Sequence, residues 1–209
     1  MIIQTVIFDF DGTIADSYEM FEELLRKFAP LFTKAEVTTK EIASLRQLPI
    51  QAVLKKYRIS PLKIWWHRKK IMEYVKQSVP KMKVIEGVKE MISELKRSGI
   101  RMYILTSNNK ENVEQFLKLN GITEIEAIYS EKNLFGKAAG LRKIAGERKI
   151  DLHQPTYYVG DETRDIEAAH KAGMKAIAVT WGYNTAPVLK EYNPEVLVNK
   201  PSEISDALA

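Results

Sequence analysis

The sequence predicts an α/β fold, a parallel sheet flanked by helices with a helical domain inserted after the first strand. Three observations carry this. Short apolar runs recur between amphipathic helical patterns, glycine follows those patterns where a helix C-terminus belongs, and residues 17–79 hold helical patterns without a convincing strand. The first run, residues 2–8 (IIQTVIF), is nearly continuous and rich in β-branched side chains, which suits a central strand covered on both faces. Further strands are expected at residues 100–105, 127–129, 156–159 and 175–180. Between them, Val88, Met91, Ile92 and Leu95 recur at helical spacing before Gly99, while Val113, Phe116 and Leu117 lead to Gly121, and Ile166, Ala169 and Ala172 to Gly173. Strand, helix, glycine, strand is the order of right-handed βαβ units. The insert is expected to break near Pro30, Pro49 and Pro61, with Asp16 and Glu19 capping its first helix and Pro80 and Gly87 bracketing the return. Two domains follow: a sheet domain of residues 1–16 with 81–209, and a helical domain of residues 17–80.

A chain of 209 residues, 45% hydrophobic and 28% charged, can bury a sizeable core and is neither disordered nor collagen-like. The absence of cysteine excludes disulfides, zinc–thiolate sites and a catalytic thiol. No signal-peptide pattern precedes Asp9, and no apolar run nears the ~20 residues that span a bilayer, so a cytoplasmic protein without a membrane partner is expected. Charge is unevenly placed. Residues 17–83 carry 15 Lys and Arg against 6 Asp and Glu, a net +9, whereas the remainder carries 17 against 21, a net −4. Such a segment is either a solvated helical surface or an attractor of an anionic partner.

Chemistry is expected beyond the carboxyl ends of the strands, where open α/β sheets bind ligands. The first strand ends in Asp9-Phe10-Asp11-Gly12-Thr13; residues two apart on extended backbone point the same way, so both carboxylates face one site unless the chain turns at Phe10. The second ends in Thr106-Ser107-Asn108, whose hydroxyls, amide and backbone N–H groups at a helix start suit phosphate oxygens. The fourth ends in Gly160-Asp161-Glu162-Thr163-Arg164-Asp165, with Asp161 and Asp165 one helical turn apart and able to address one metal. Each piece alone also reads as an ordinary turn or helix cap. Together they gather four carboxylates that would repel one another without a cation, and hard oxygen ligands of this kind select Mg²⁺.

In this order the motifs resemble the haloacid dehalogenase superfamily of phosphatases, over essentially the whole chain. DFDGT at 9–13 resembles its first motif, Thr106 its second, a lysine near 137 its third and GDETRD at 160–165 its fourth. The insert resembles the helical cap of the phosphoglycolate phosphatase-like branch, set on a Rossmann-like core. The resemblance implies that Asp9 is the nucleophile that becomes an aspartyl phosphate and that Asp11 is the general acid, then the base that activates water. It further implies Mg²⁺ held by the Asp9 carboxylate, the Asp11 carbonyl and Asp161, with Asp165 supporting them. Thr106, Ser107, Asn108 and a lysine would bind the phosphate. Lys137, which opens an expected helix, is preferred to Lys132 in the preceding loop; Ala138 follows it where phosphoglycolate phosphatases commonly have proline. Asp11 favours phosphate-ester chemistry over dehalogenation, and the lack of a histidine in residues 18–22 favours hydrolysis over a mutase reaction.

The core motifs grip only phosphate, so the cap is expected to choose the substrate. Arg46 resembles a cap-loop residue that projects toward the active site and would clamp a second anionic group such as a carboxylate; its plainer role is an exposed helix-end arginine. Trp181-Gly182-Tyr183 resembles a segment of phosphoglycolate phosphatases, or simply packs. One of Trp65 and Trp66 is expected to face a helical core, so the basic run His67-Arg68-Lys69-Lys70 beside them is not read as a nucleic-acid site. His67, His153 and His170 show no ligand spacing. The expected activity is Mg²⁺-dependent hydrolysis of a small phosphorylated metabolite, 2-phosphoglycolate first. A nucleotidase, a sugar-phosphate phosphatase or mutase, and a non-catalytic protein that binds through the basic cap are the alternatives. The sequence sets no oligomeric state.

Overall fold

The computed structural model describes residues 4–34, 38–133 and 136–208. Residues 2 and 3 of the first expected strand lie outside the described residues. In chain order, β1 (Thr5–Phe8) is followed by a short β2 (Ala15–Asp16) and then by four helices, α1 (Tyr18–Phe32), α2 (Thr39–Leu45), α3 (Ile50–Lys56) and α4 (Pro61–Ser78). A 3₁₀ turn at Val79–Lys81 leads to β3 (Lys83–Val84), α5 (Val88–Arg97), β4 (Arg101–Thr106), α6 (Lys110–Leu119), β5 (Ala127–Ser130) and α7 (Lys137–Glu147). The chain closes with β6 (Thr156–Gly160), α8 (Thr163–Ala172), β7 (Lys175–Val179), α9 (Ala186–Lys190), β8 (Val196–Val198) and α10 (Ser202–Leu208).

Six strands form one parallel sheet in the order β5-β4-β1-β6-β7-β8. Period-two alternation sends Val6, Phe8, Met102, Ile104 and Val159 to one face, where they pack with residues of α5, α6 and α10. Ile7, Tyr103, Leu105 and Tyr158 go to the other, against α7 and α8. Both faces are covered, which is why β1 reads as an unbroken apolar run. Because β4 and β6 flank β1, the chain winds away from β1 in both directions. The crevice at the carboxyl ends of β1, β4 and β6 is therefore the topological switch point.

The insert leaves and re-enters through an antiparallel ribbon, with Ala15 opposite Val84 and Asp16 opposite Lys83. Its core is small: Phe28 of α1 packs with Ile71 and Val75 of α4, with Met20, Leu24 and Phe32 partly buried around them. Pro49 and Pro61 fall at helix starts as expected, where the missing N–H costs nothing. Pro30 does not break the chain; it sits in the last turn of α1, so only one helical hydrogen bond is forgone. Asp16 is not a cap either, because it is drawn into β2 and Ser17 takes the N-cap position without a side-chain hydrogen bond.

Trp65 and Trp66 also depart from expectation: 62% and 76% exposed, neither reaches the cap core, which α4 feeds through Ile71 and Val75 further along. Sequence periodicity gave no sign of β8 or α10, a three-residue strand and a seven-residue helix too short for a period to register. No helix among the described residues is long and apolar enough to cross a membrane.

Candidate active site

The site begins where β1 stops. Asp9 extends the strand by one more hydrogen bond, its N–H donating to the Val159 carbonyl at 2.8 Å. The chain then turns sharply: the buried Phe10 offers its carbonyl to the N–H groups of Thr13, Ile14 and Ala15 at 3.3, 2.9 and 3.0 Å. Gly12 makes the turn possible, since its φ of +75° is a left-handed conformation and a Cβ there would lie 2.3 Å from Asp161 Oδ2. The carboxylates of Asp9 and Asp11 consequently do not share one set of partners, as simple strand alternation would have them do.

Asp9, 3% exposed, accepts from the Phe10 N–H at 2.8 Å through Oδ1 and from Lys137 Nζ at 2.6 Å through Oδ2. Lys137 opens α7, is equally buried, and donates also to Asp165 Oδ1 at 2.5 Å. The second oxygen of Asp165 caps α8 by accepting from the Glu162 N–H at 3.0 Å, so this side chain anchors the lysine from behind. Lys132, the other candidate, is exposed and lines a cleft whose wall contains none of these groups. Asp161, at the end of β6, receives the Thr13 hydroxyl at 2.9 Å and the Tyr183 N–H at 2.7 Å. Asp9, Asp161 and Asp165 each place a carboxylate oxygen within 4.8 Å of the others.

Burial governs the electrostatics. It pushes Asp9 up to about 7, with Lys137 pulling down and Asp165 pushing up. Asp161 is driven well above the usual carboxylate range by burial and by the neighbouring charges of Asp9, Glu162 and Asp165. Burial alone would lower Lys137, but Asp165 and Asp9 carry it above the ordinary lysine value. Among the described residues, Asp9, Asp11, Asp161, Glu162 and Asp165 face only Lys137 and Arg164 as cations, a deficit of positive charge among hard oxygen donors. That donor set fits a divalent cation of the Mg²⁺ or Ca²⁺ type.

Asp11 turns the other way, toward β4. Asn108 Nδ2 donates to its Oδ2 at 3.2 Å, its Oδ1 is buried without a hydrogen-bond partner among the described residues, and burial raises its pKa. Asn108 is itself fixed, accepting at Oδ1 from Asn109 N–H and Asn112 Nδ2, and its carbonyl accepts the Ser130 hydroxyl at 2.6 Å. Thr106 is fully buried, with Oγ1 accepting from the Asn108 N–H at 2.9 Å, which leaves its own proton to donate. Ser107 is half-buried beside it. Thr106, Asn108, Asp11, Asp9 and Lys137 are thus gathered at the ends of adjacent strands β4 and β1 and the start of α7.

A cavity of about 180 Å³ opens at Asp11 and Asp161, walled mainly by the aromatic side chains Tyr18, Phe21, Trp181 and Tyr183. Arg46 does not line it. Its Nε and NH2 donate to the carbonyls of Tyr183 and Gly182 at 2.9 and 2.8 Å, and its guanidinium lies 4.8 Å from the Tyr18 ring centroid. The arginine therefore ties the cap to the loop after β7. Arg164, only 12% exposed and paired with Glu162 at 2.5 Å, is the arginine in the cavity wall. It was legible as the charge between two aspartates of one motif. The supports of Asp161 come from two places, Thr13 from the DFDGT motif itself and Tyr183 from the Trp181-Gly182-Tyr183 segment after β7, 22 residues away in the chain; the motifs were visible in sequence, but their contacts with Asp161 were not.

Gly182 is the closest packed of these supports, since a Cβ there would lie 2.2 Å from the Asp161 Cβ. Gly182→Ala is expected to displace Asp161 and to cost about 1–3 kcal/mol. The measurement is thermal melting, where a fall of roughly 3–10 °C is expected for a chain of this size; an unchanged melting temperature would show that the loop yields freely.

An open parallel sheet with carboxylates and a buried lysine gathered at its switch point is the frame of a hydrolytic α/β enzyme. The chain belongs to the haloacid dehalogenase-like hydrolase family, which it matches over residues 6–179. It is 30% identical to a phosphoglycolate phosphatase of Synechococcus elongatus over 99% of this chain and 97% of that one. It is 26% identical to the pyrophosphatase PpaX of Bacillus cereus, over 100% and 98% of the two chains. Among solved structures, a haloacid dehalogenase-like family hydrolase from Streptococcus pneumoniae superposes with a TM-score of 0.79 at 20% identity, covering 99% of each chain, which establishes the shared fold.

Proposed function

We propose that the chain is a Mg²⁺-dependent phosphatase that hydrolyses a small phosphomonoester of the 2-phosphoglycolate type through an aspartyl phosphate. The observation that carries this is the buried Lys137 bridge between Asp9 and Asp165 beside a separately held Asp11. Asp9 has one oxygen on Lys137 and one on a backbone N–H, which holds the carboxylate still for attack on phosphorus. Burial raises the Asp11 pKa, which favours its acid form, and its Oδ1 is the place from which a proton reaches the leaving alkoxide. Once Asp9 carries the phosphoryl group, the ionised Asp11 takes a proton from the attacking water. The Thr106 hydroxyl, the backbone N–H and hydroxyl of Ser107, the Asn108 side-chain amide and Lys137 offer donors to the phosphoryl oxygens. Mg²⁺ would be held by Asp9, the Asp11 carbonyl and Asp161, supported by Asp165, and when bound supplies positive charge beside the phosphoryl oxygens.

The phosphoglycolate phosphatase relative supports a small ester of this type as the substrate. The test is a panel of 2-phosphoglycolate, pyrophosphate, sugar phosphates and nucleoside monophosphates, each with Mg²⁺ and with excess EDTA. Turnover of 2-phosphoglycolate ahead of the others, abolished by EDTA and restored by Mg²⁺, is expected; activity that survives full chelation would overturn the assignment. Preference for pyrophosphate would move the substrate toward the PpaX relative.

Metal binding should also be visible without turnover. Asp9 and Asp161 must lose protons to ligate, and their pKa values lie above the ordinary carboxylate range, so protons compete with the metal on the acid side. At a hundredfold excess over Kd, Mg²⁺ stabilises by about 2.7 kcal/mol, roughly 5–10 °C in melting temperature. We expect that shift at pH 8 and a clearly smaller one at pH 5.5. Equal shifts at both pH values would place the metal on groups other than these.

A further inference from the structure

A second cleft, of about 690 Å³, lies between α4 of the cap and the start of α6, and it shares no wall residue with the catalytic cavity. Its size falls within the ~300–1,000 Å³ of ordinary ligand sites. Arg68, Lys69, Lys76, Lys110 and Lys132 stand in its wall against two glutamates, with Trp65 at the same face. Among the described residues, only Lys110 of these five cations is in an ion pair, and that pair is with Glu114, outside the cleft, at 3.6 Å.

Arg68 is the informative member. Its NH1 donates to Asn109 Oδ1 at 3.2 Å and its NH2 to the Ser107 carbonyl at 3.1 Å, both neutral oxygens. Burial pushes its pKa down and no carboxylate opposes that. A partly buried guanidinium hydrogen-bonded to neutral oxygens, in a cleft that holds four further cations against two glutamates, favours an anion. Trp65, Lys69 and Lys76 follow one another at helical spacing along a single face of α4. That face runs about 16 Å from Trp65 to Lys76, a reach that an extended nucleoside triphosphate spans and a single phosphate ion does not. The indole is 62% exposed, an open platform for a base.

We propose that this cleft is a second binding site, for a nucleoside polyphosphate, with the phosphate chain along Lys69, Lys76, Lys110 and Lys132 and the base stacked on Trp65. The cations are gathered in one cleft and not strung along a continuous stripe, which favours a mononucleotide over a polynucleotide.

The probe is the non-hydrolysable imido analogue of ATP, titrated calorimetrically into the full chain in Mg²⁺ buffer. Saturable binding at one site is expected, about tenfold or more weaker in Lys69→Ala/Lys76→Ala and unchanged within about twofold in Asp9→Asn. Turnover of p-nitrophenyl phosphate by the double lysine variant, without nucleotide, should equal that of the parent, which shows that the variant is folded. Trp65→Ala should weaken the nucleotide analogue and leave tripolyphosphate unaffected. The proposal is overturned if the analogue fails to bind, if the lysine variant binds it as tightly as the parent, or if Asp9→Asn alone removes binding. A single-stranded oligonucleotide that binds more tightly than the analogue, with a steep salt slope, would overturn it in favour of nucleic acid.

Discussion

Asp9→Asn is expected to lower turnover of every phosphate ester by at least about 10⁴-fold, because no other carboxylate stands both on Lys137 and at the mouth of the phosphate-binding strand ends. Asp11→Asn should behave differently. With p-nitrophenyl phosphate, whose leaving group needs little protonation, the enzyme should still become phosphorylated, while hydrolysis of the phosphoenzyme slows by about 10²–10⁴-fold. Rapid-quench experiments with labelled substrate should then find label accumulating on Asp9 in the Asp11 variant and none in the Asp9 variant. Normal turnover by Asp9→Asn, or label mapped to Asp11, would reverse the two roles.

Lys137→Met carries the largest expected effect on stability. It removes the cation between two buried carboxylates and leaves Asp9 and Asp165 facing each other at 3% and 2% exposure. Breaking one partner out of a buried ion pair costs about 3–5 kcal/mol, a fall of roughly 10 °C or more in melting temperature. The loss has a sign in pH. Asp9 lies at about 7 even with the lysine present, above its ordinary 3.8, and removal of the lysine takes it higher. A folded carboxyl with a raised pKa holds a proton that the unfolded chain has released, so stability falls as pH rises between the two values. The deficit of Lys137→Met against the parent should therefore be larger at pH 8 than at pH 5, measured in metal-free buffer by urea unfolding. Equal deficits at both pH values would mean that the lysine's contribution is packing and not charge.

Much of this site could be read from the chain because it is built at strand ends. β1, β4 and β6 are continuous apolar runs, and the residues that follow them have nowhere to go but the switch-point crevice. Lys137 followed from its place at the start of a helical pattern. What stayed hidden acts across long chain distances or through backbone. Arg46 resembles a substrate clamp in sequence, yet its Nε and NH2 donate to the Tyr183 and Gly182 carbonyls after β7, backbone acceptors whose pairing with a cap arginine no side-chain pattern announces. The tryptophan pair misled for a related reason: helical periodicity assigns apolar residues to a core, and the cap core is already supplied by Ile71 and Val75.

The ribbon through which the helical insert leaves and rejoins the sheet has an evolutionary meaning. Because Ala15 pairs with Val84 and Asp16 with Lys83, the chain departs from the sheet domain and returns to it at adjacent points, as if through a single socket. Loop-closure entropy rises only with the logarithm of the number of residues between such points, so the sheet domain is almost indifferent to what is plugged in there. Asp9, Asp11, Lys137 and Asp161, to which the proposed chemistry is assigned, all lie on the socket side. Successive inserts can thus be exchanged or rewritten under selection for new substrates while the reacting groups remain untouched.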